Sequence, residues 1–314
     1  MLGRTAASLF WMSRYQERSQ NTARLLEVAY RIAMVPHTGA DETEDWRNAL
    51  ACAGCEAGFR AKGGEVTPRT VINYMIFDKD NPSSVRTCLE MARNNARSVR
   101  TGITSDMWES LNTTWIEFSD VKPQALTHDR LPEFLAWVGQ RAQQFRGALL
   151  GTILRDDGYY FSQLGHFVER ADHTARVLDT RYWILLPDND VGGTGHRYQW
   201  SSLLRALSGL RSYRFAYPDA QLKAFNVAEF LILRKEMPRS LAYCYDWING
   251  TMDDLTNYYG ERMPSADLAA AIWSQLRDGQ MRDIYSAGLH DFLVDFAARN
   301  NAFSVRLAQD YNFA

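Results

Sequence analysis

Two short stretches of the sequence carry acidic residues and arginines at a helical spacing. The shared spacing is i, i+1, i+4 and i+7, which places the first, third and fourth side chains on one face of a helix. The first stretch contains Glu17, Arg18, Asn21 and Arg24, and the second contains Glu169, Arg170, Asp172, His173 and Arg176. Arginine offers a planar fork that suits a carboxylate or a phosphate. These faces are therefore candidates to bind an anionic or zwitterionic ligand.

The same charged faces have two other interpretations. In one, Glu17 or Glu169 acts as a general base, which requires burial to raise the pKa of the carboxyl group toward the working pH. Neighbouring arginines favour the charged carboxylate and lower that pKa, so the pairing favours binding over catalysis. In the other, glutamates and arginines form ion pairs that bridge neighbouring helices. The sequence is compatible with either a binding face or a structural network.

The histidines beside the second glutamate raise the question of a metal site. Di-iron helical bundles use a Glu-x-x-His motif on paired helices. His166 and His173 flank Glu169, but the first half of the chain has Arg14 and Asn21 at the corresponding positions. The ligand set is not duplicated, so we predict no metal site and interpret both histidines as polar or partly buried residues.

Other catalytic motifs are missing from the sequence. It contains no G-x-x-x-x-G-K-[ST] or G-x-G-x-x-G phosphate loop and no G-x-S-x-G nucleophile motif. Residues 192–195, Gly-Gly-Thr-Gly, are interpreted as a flexible linker. Cys52 and Cys55 form a CxxC inside a helical pattern, and Cys88 and Cys244 lie in apolar helical contexts. All four cysteines are interpreted as packing residues, and no cofactor is predicted.

Apolar residues recur at a spacing near 3.6 along almost the whole chain, which predicts an all-α fold. No stretch has the period-2 alternation of paired strands. Residues 73–77 resemble a strand in isolation, but their counterpart at 229–233 lies in a helical context, so both are predicted to be helical. The predicted helices cover about 5–34, 42–60, 69–77, 80–100, 105–117, 129–155, 158–186, 198–216, 224–234, 239–257, 265–277 and 283–312.

The two halves of the sequence resemble each other. Between residues 17–32 and 169–184, eight of sixteen positions are identical. The register continues with matched pairs, which include Trp46 with Trp200, Pro82 with Pro238, Ser84 with Ser240 and Cys88 with Cys244. We predict a helical bundle built from two diverged copies, 1–157 and 158–314, packed as one compact domain with a pseudo-twofold relation.

One further similarity is out of register with this duplication. ARNNARSVR at 92–100 resembles ARNNAFSVR at 298–306. In the first segment, Arg93, Arg97 and Arg100 fall along one face of the predicted helix. This face is either a solvated, salt-bridged surface or a docking surface for a partner.

Composition excludes several classes of protein. Of 314 residues, 46% are hydrophobic and 23% are charged, and the net charge is −2. A nucleic-acid binder would carry a basic footprint, so we predict no nucleic-acid partner. No stretch approaches the about 20 apolar residues that cross a bilayer, and charges interrupt the apolar run at the amino terminus, unlike in a signal peptide. We predict a cytoplasmic protein without membrane contact and make no prediction of its oligomeric state.

Three separated motifs carry a resemblance to a known family. The stretches LFWMSRYQERSQNTARLLE, NPSSVRTCLEMARNNARSVRTGITSDMWESLN and LGHFVERADHTARVLD are similar to the bacterial alpha-E domain family, named for its helices and its Glu-Arg motif. The resemblance covers essentially the whole chain. It implies an all-α fold and an association with circularly permuted ATP-grasp ligases and transglutaminase-like proteins.

The resemblance also implies a role in making or processing a small peptide or amide-linked product. The first hypothesis is an accessory protein that binds an ATP-grasp ligase, or a small peptide-like ligand, through the Glu-Arg helix faces. The second is an enzyme of the same pathway that uses Glu17 or Glu169 with nearby arginines. The third is a purely structural helical scaffold. Arg93 and Arg97 are secondary candidates for partner binding.

Overall fold

A computed structural model of the protein describes residues 1–34, 43–184, 194–218 and 222–313. Within these residues the chain forms α-helices and two short 3-10 helices, and no strand, as predicted. The helices are α1 Gly3–Ala33, α2 Glu44–Cys52, α3 Glu56–Ala61, α4 Pro68–Ile76, α5 Val85–Ser98, α6 Ser105–Ser119, α7 Leu131–Thr152, α8 Asp157–Ile184, α9 Thr194–Ala206, α10 Leu210–Ala216, α11 Ala224–Ile232, α12 Leu241–Tyr259, α13 Pro264–Asp278, α14 Met281–Ala287 and α15 Leu289–Asp310. The 3-10 helices span Pro123–Ala125 and His128–Arg130.

The helices group into two compact units. Unit 1 contains Met1–Glu169 and the segment that begins at Tyr311, and unit 2 contains Arg170–Asp310. In unit 1, α1 packs against α5 and α7, and α6 packs against both of these helices. In unit 2, α13 packs against α12 and α15, and α14 packs against α11 and α15. The unit boundary falls within α8, so this helix contributes residues to both units.

Helix α1 is the central helix of unit 1 and is buried on most of its surface. Its apolar residues Leu9, Met12 and Leu26 are fully buried, and so are many of its polar residues. Because α1 is buried on most of its surface, its buried polar side chains need hydrogen-bond partners within the protein. At Gly165 of α8, an added Cβ would lie 2.0 Å from the carbonyl oxygen of Phe10. The missing side chain therefore lets the backbones of α1 and α8 come together.

Each unit repeats one hydrogen bond that holds its Glu-Arg helix. Thr22 donates its hydroxyl to the carbonyl oxygen of Ser83 at 2.9 Å, and Thr174 donates to that of Arg239 at 2.8 Å. The acceptors immediately precede Ser84 and Ser240, which are the N-caps of α5 and α12. Both caps satisfy an amide that has no intrahelical acceptor. The two bonds lie at matched positions of the predicted copies, and the duplication itself stays a prediction.

Two predicted helices are each broken in the structure. The prediction of one helix at 42–60 is wrong because Gly54 adopts φ +65°, ends α2 and lets α3 begin at Glu56. The prediction of one helix at 198–216 is wrong because Ser208 adopts φ +54° between α9 and α10. In both breaks the amide of the following residue donates to a carbonyl oxygen five residues earlier, from Cys55 to Leu50 and from Gly209 to Leu204. This is the Schellman helix ending, which requires a left-handed residue.

Other predicted boundaries also differ from the structure. The helix predicted at 283–312 divides at Gly288, where φ is +109°. The helix predicted at 80–100 begins later, at Val85, with Ser84 as its N-cap. The CxxC lies across the break between α2 and α3, and both of its cysteines are buried. Residues 35–42, which follow the helix predicted at about 5–34, and residues 192–193 of the predicted linker lie outside the described residues.

Across the described ranges, each helix is either too short or too polar to span a lipid bilayer.

Candidate functional site

The carboxylate of Glu169 lies between two arginines of α1. Arg18 binds it in a bidentate manner, with Nε 2.6 Å from Oε1 and Nη2 2.8 Å from Oε2. Arg14 donates from Nε to Oε2 at 2.9 Å. Arg14 and Arg18 are one helical turn apart, so both point at α8 from the same face of α1. The Arg14 guanidinium also lies 4.7 Å from the ring centroid of Trp11. The carboxylate is thereby held by three charge-assisted hydrogen bonds.

This arrangement fixes the charge of Glu169. The residue is only 4% exposed, and burial by itself would raise the pKa of its carboxyl group. The charges and hydrogen bonds of Arg18 and Arg14 outweigh burial and lower the pKa to about 2. A general base that works near neutral pH needs a pKa near that pH. Glu169 is therefore suited to an ion pair and poorly suited to proton abstraction.

Glu17 contacts a different residue of α8. Its Oε2 lies 3.3 Å from Nδ1 of His166, and Arg146 of α7 approaches Nε2 of the same ring. The His166 ring therefore lies between the Glu17 carboxylate and the Arg146 guanidinium. Glu17 and His166 are both buried, and the contact joins α1, α7 and α8.

The second Glu-Arg stretch is used differently in unit 2. Asp172 pairs with Arg176 at 2.6 Å, one turn apart on α8. Arg170 donates to the carbonyl oxygen of Pro238 at 3.3 Å, next to the bond from Thr174 to Arg239. His173 is buried. The bonds from Arg170 and Thr174 hold α8 against the turn that begins α12.

The remaining predicted residues divide between interior and surface. Asn21 is buried on α1, and Arg24 is half-buried one turn later. Arg93 is half-buried on α5 and donates from Nε to Oδ1 of Asn112 at 2.9 Å, whereas Arg97 is exposed. The structure therefore joins Arg18 with Glu169, and it places Arg93 and Arg97 on a separate part of unit 1.

Sequence reasoning did not select Arg14, His166 or Arg146 for the site. Arg14 lies four residues before Arg18, a spacing that could have indicated a shared face. His166 was weighed as a metal ligand and interpreted as a polar or partly buried residue. Nothing in the sequence around Arg146 indicates its contact, because α7 and α8 come together only in the folded chain. In the described residues, no three His, Cys, Asp or Glu side chains come close enough to hold a metal ion.

Unit 2 contains an open cleft of about 550 Å³, next to the end of α11. Its walls come from the loop after α11 and from α12 and α13, and they include Arg234, Lys235, Asp246, Trp273 and Arg277. Trp273 donates from Nε1 to Asp246 at 3.1 Å, and Arg277 lies 4.3 Å from the indole centroid. Exposed Lys235 has no carboxylate within 4 Å in the described part of the chain. The cleft thus combines an aromatic surface with charges of both signs: Arg234 and Arg277 are paired with Glu236 and Asp278, and Lys235 supplies a further positive charge.

Comparison with known families gives a match over almost the whole chain. A family model named Alpha-E, described as a predicted alpha-helical domain with a conserved ER motif, matches residues 1–311. The chain belongs to the Alpha-E family. The pairs Glu17-Arg18 and Glu169-Arg170 are candidates for the motif of that name. In this Alpha-E protein, Arg18 of the first pair binds Glu169 of the second.

Longer mycobacterial proteins are similar to this Alpha-E chain. An uncharacterized protein of Mycobacterium bovis and one of Mycobacterium tuberculosis strain CDC 1551 are each 25% identical to it over 285 residues. Another from Mycobacterium tuberculosis strain H37Rv is 24% identical. The match covers 83% of the Alpha-E chain and 31% of each relative, so the chain spans about a third of their length. No solved structure matches the chain.

Proposed function

We propose that this Alpha-E protein is a non-catalytic helical module that binds an amide-forming ligase of the ATP-grasp class and supports its reaction. The observation that carries the non-catalytic part is the ion-pair cluster at Glu169. Its carboxylate is buried, ionised and occupied by Arg14 and Arg18. A carboxylate in this state is suited to an ion pair between helices and poorly suited to activating a substrate.

The choice of partner rests on the family resemblance and on chain length. The resemblance implies an association with ATP-grasp ligases and, second, with transglutaminase-like proteins. In the mycobacterial relatives, the matched region is 31% of a longer protein, as expected for a module that works beside other domains. Glu17 and Glu169 are buried, so a protein partner would meet another surface than the Glu-Arg helix faces.

The test is a binding and activity measurement with the ATP-grasp ligase encoded in the same genome. We expect a complex in size-exclusion chromatography and calorimetry, no ATP hydrolysis by the Alpha-E protein alone, and a faster or more complete ligase reaction when both are present. ATP-dependent amide formation by the Alpha-E protein alone would contradict the proposal. So would the lack of a complex at about 100 μM of each protein, since binding weaker than this falls below about 5.5 kcal/mol.

The cleft of unit 2 favours a second candidate function, the capture of a small peptide-like carboxylate. Its volume lies within the about 300–1,000 Å³ of small-molecule sites. Calorimetry with the dipeptide Ala-Phe and its carboxyl-terminal amide tests this function. We expect the free acid to bind more tightly, the Lys235→Met variant to lose this preference, and Arg262→Met, an exposed control paired with Asp253 and Asp267, to keep it. Equal binding of acid and amide would reject the function.

A further inference from the structure

Helix α5 carries a row of arginines on one face. Arg86, Arg93 and Arg97 follow the i, i+7, i+11 spacing, which places them within an arc of about 40°. Arg100 follows the end of the helix on the same side. Arg86 and Arg93 are half-buried, and Arg97 and Arg100 are exposed. The row extends along the whole length of α5.

Helix α6 places tryptophans beside these arginines. Trp108, Asn112 and Trp115 share one face of α6 at the i, i+4, i+7 spacing. The guanidiniums of Arg93 and Arg100 lie 5.8 Å and 5.6 Å from the ring centroid of Trp108.

A similar contact occurs at the other end of the row. The Arg86 guanidinium lies 5.9 Å from the ring centroid of Trp115, and Asn112 accepts the hydrogen bond of Arg93. Cation–π contacts orient the guanidiniums without neutralising them. We call this surface, Arg86, Arg93, Arg97, Arg100, Trp108 and Trp115, the Arg-Trp face.

The charge of the Arg-Trp face is not compensated by the protein. In the described part of the chain, none of its four arginines has a carboxylate within 4 Å. Glu90 lies on the same side of α5 and Glu109 on α6, and neither forms an ion pair with a described residue. Four arginines against two carboxylates leave the face positively charged on a chain whose net charge is −2.

In the similar segment of α15, the arginines are paired with carboxylates. There, Arg299 pairs with Asp295 and Arg306 pairs with Asp310, both at 2.8 Å and one turn apart. The segment of α5 lacks these acidic partners, although it repeats ARNNA and SVR. The same sequence pattern is therefore a neutralised helix face in unit 2 and an uncompensated one in unit 1.

We propose that the Arg-Trp face is the docking surface for an acidic segment of the partner protein. This inference rests on the proposed function and names the surface that the ligase would meet. Arginine and tryptophan are enriched among the residues that dominate protein interfaces. A row of guanidiniums along one helix matches carboxylates presented along a partner helix or strand. The near-neutral chain lacks the wider basic footprint of a nucleic-acid binder.

Two double variants with the same change in charge test the face. Arg97→Glu with Arg100→Glu alters its exposed arginines, and Arg211→Glu with Arg214→Glu alters exposed arginines of α10. We expect the first pair to weaken ligase binding at least tenfold and the second to stay within twofold of the unchanged protein. Thermal melts of both variants should stay close to that of the unchanged protein, because these side chains are exposed and Arg100 loses only its contact with the Trp108 ring.

The outcomes separate the two proposals. If the ligase binds both double variants as tightly as the unchanged protein, the Arg-Trp face is not the docking surface and the proposed function stands. If the ligase binds no form of the protein, the proposed function fails, and a fluorescein-labelled peptide of alternating Glu and Leu then tests the face by anisotropy. Peptide binding that is lost in Arg97→Glu with Arg100→Glu and kept in Arg211→Glu with Arg214→Glu supports the face. No peptide binding, or binding of a labelled oligonucleotide in its place, overturns it.

Discussion

At the residue scale, the contacts of Glu169 show how one residue from each Glu-Arg pair, Arg18 and Glu169, is used. The sequence left a binding face, a catalytic base and an ion-pair network open, because a helical pattern does not say what lies opposite it. The structure places Arg14 and Arg18 on the carboxylate, which favours the network. Arg18 could be predicted as a candidate, but its partner could not, because 151 residues separate the two in the chain.

Replacing Glu169 should destabilise the protein strongly. In Glu169→Gln, the guanidiniums of Arg14 and Arg18 lose the charge that offsets their burial, and such losses cost about 3–5 kcal/mol. The control is Glu27→Gln, whose exposed pair with Arg31 lies on the same helix. That variant should lose less than about 0.5 kcal/mol. Urea unfolding followed by circular dichroism measures both, and equal losses would mean that the cluster is energetically unimportant.

The same residue should make stability depend on pH in acid. The pKa of Glu169 is lowered from 4.5 to about 2 in the folded protein. A depressed folded-state pKa adds stability that is fully present above pH 4.5 and is lost as the pH falls toward 2, by an amount on the order of 3 kcal/mol. Unfolding measured between pH 7 and pH 2.5 should show this loss. Glu169→Gln should lack this component, so parallel pH profiles of the two proteins would contradict the assignment.

At the element scale, the helices could be predicted and their breaks could not. Periodicity predicted the all-α fold, and the helix predicted at 105–117 forms as Ser105–Ser119, capped by the side chain of Thr104. The breaks at Gly54 and Ser208 were missed, because the apolar pattern continues across them. A serine with φ +54° gives little local signal, since most left-handed helix endings use glycine. The two breaks lie at equivalent positions of the two predicted copies, and the duplication stays a prediction.

The contact between α1 and α8 gives a sharp test of element packing. In Gly165→Ala, the new methyl group would meet the Phe10 carbonyl oxygen, and the two helices would have to move apart. We expect a loss of about 1–3 kcal/mol or more. Gly147→Ala, on α7 with open space around it, should instead gain about 0.5–1 kcal/mol from helix propensity. Thermal melts of both variants check this, and a stable Gly165→Ala protein would show that the helices separate easily.

At the scale of the whole molecule, sequence copies and structural units do not share a boundary. The sequence predicts copies at 1–157 and 158–314, whereas unit 1 extends through Glu169 and includes the segment that begins at Tyr311. Sequence similarity groups residues that correspond between the predicted copies, whereas contacts group residues that pack together in the folded chain. The pseudo-twofold relation stays a prediction.

A fragment of residues 1–157 should therefore fail to fold alone. It lacks Glu169, which offsets the charges of Arg14 and Arg18, and Phe313, whose ring lies 5.6 Å from Phe10. We expect reduced helicity and no cooperative melt by circular dichroism. Addition of the complementary fragment 158–314 should restore both, because it returns these residues. A cooperative transition of 1–157 by itself would show that the first copy is an independent folding unit.

The two ends of the described chain lie side by side in unit 1. A methyl group on Gly3 would touch the carbonyl oxygen of Asn312, and the terminal amine pairs with Asp157 at 3.1 Å. A short linker could therefore join the ends, and new termini could be opened in an exposed loop, giving a circularly permuted protein with the same packing. For the same reason, polypeptide attached at either end would leave from one point on the surface, so the module could be inserted into a longer protein as readily as appended to it.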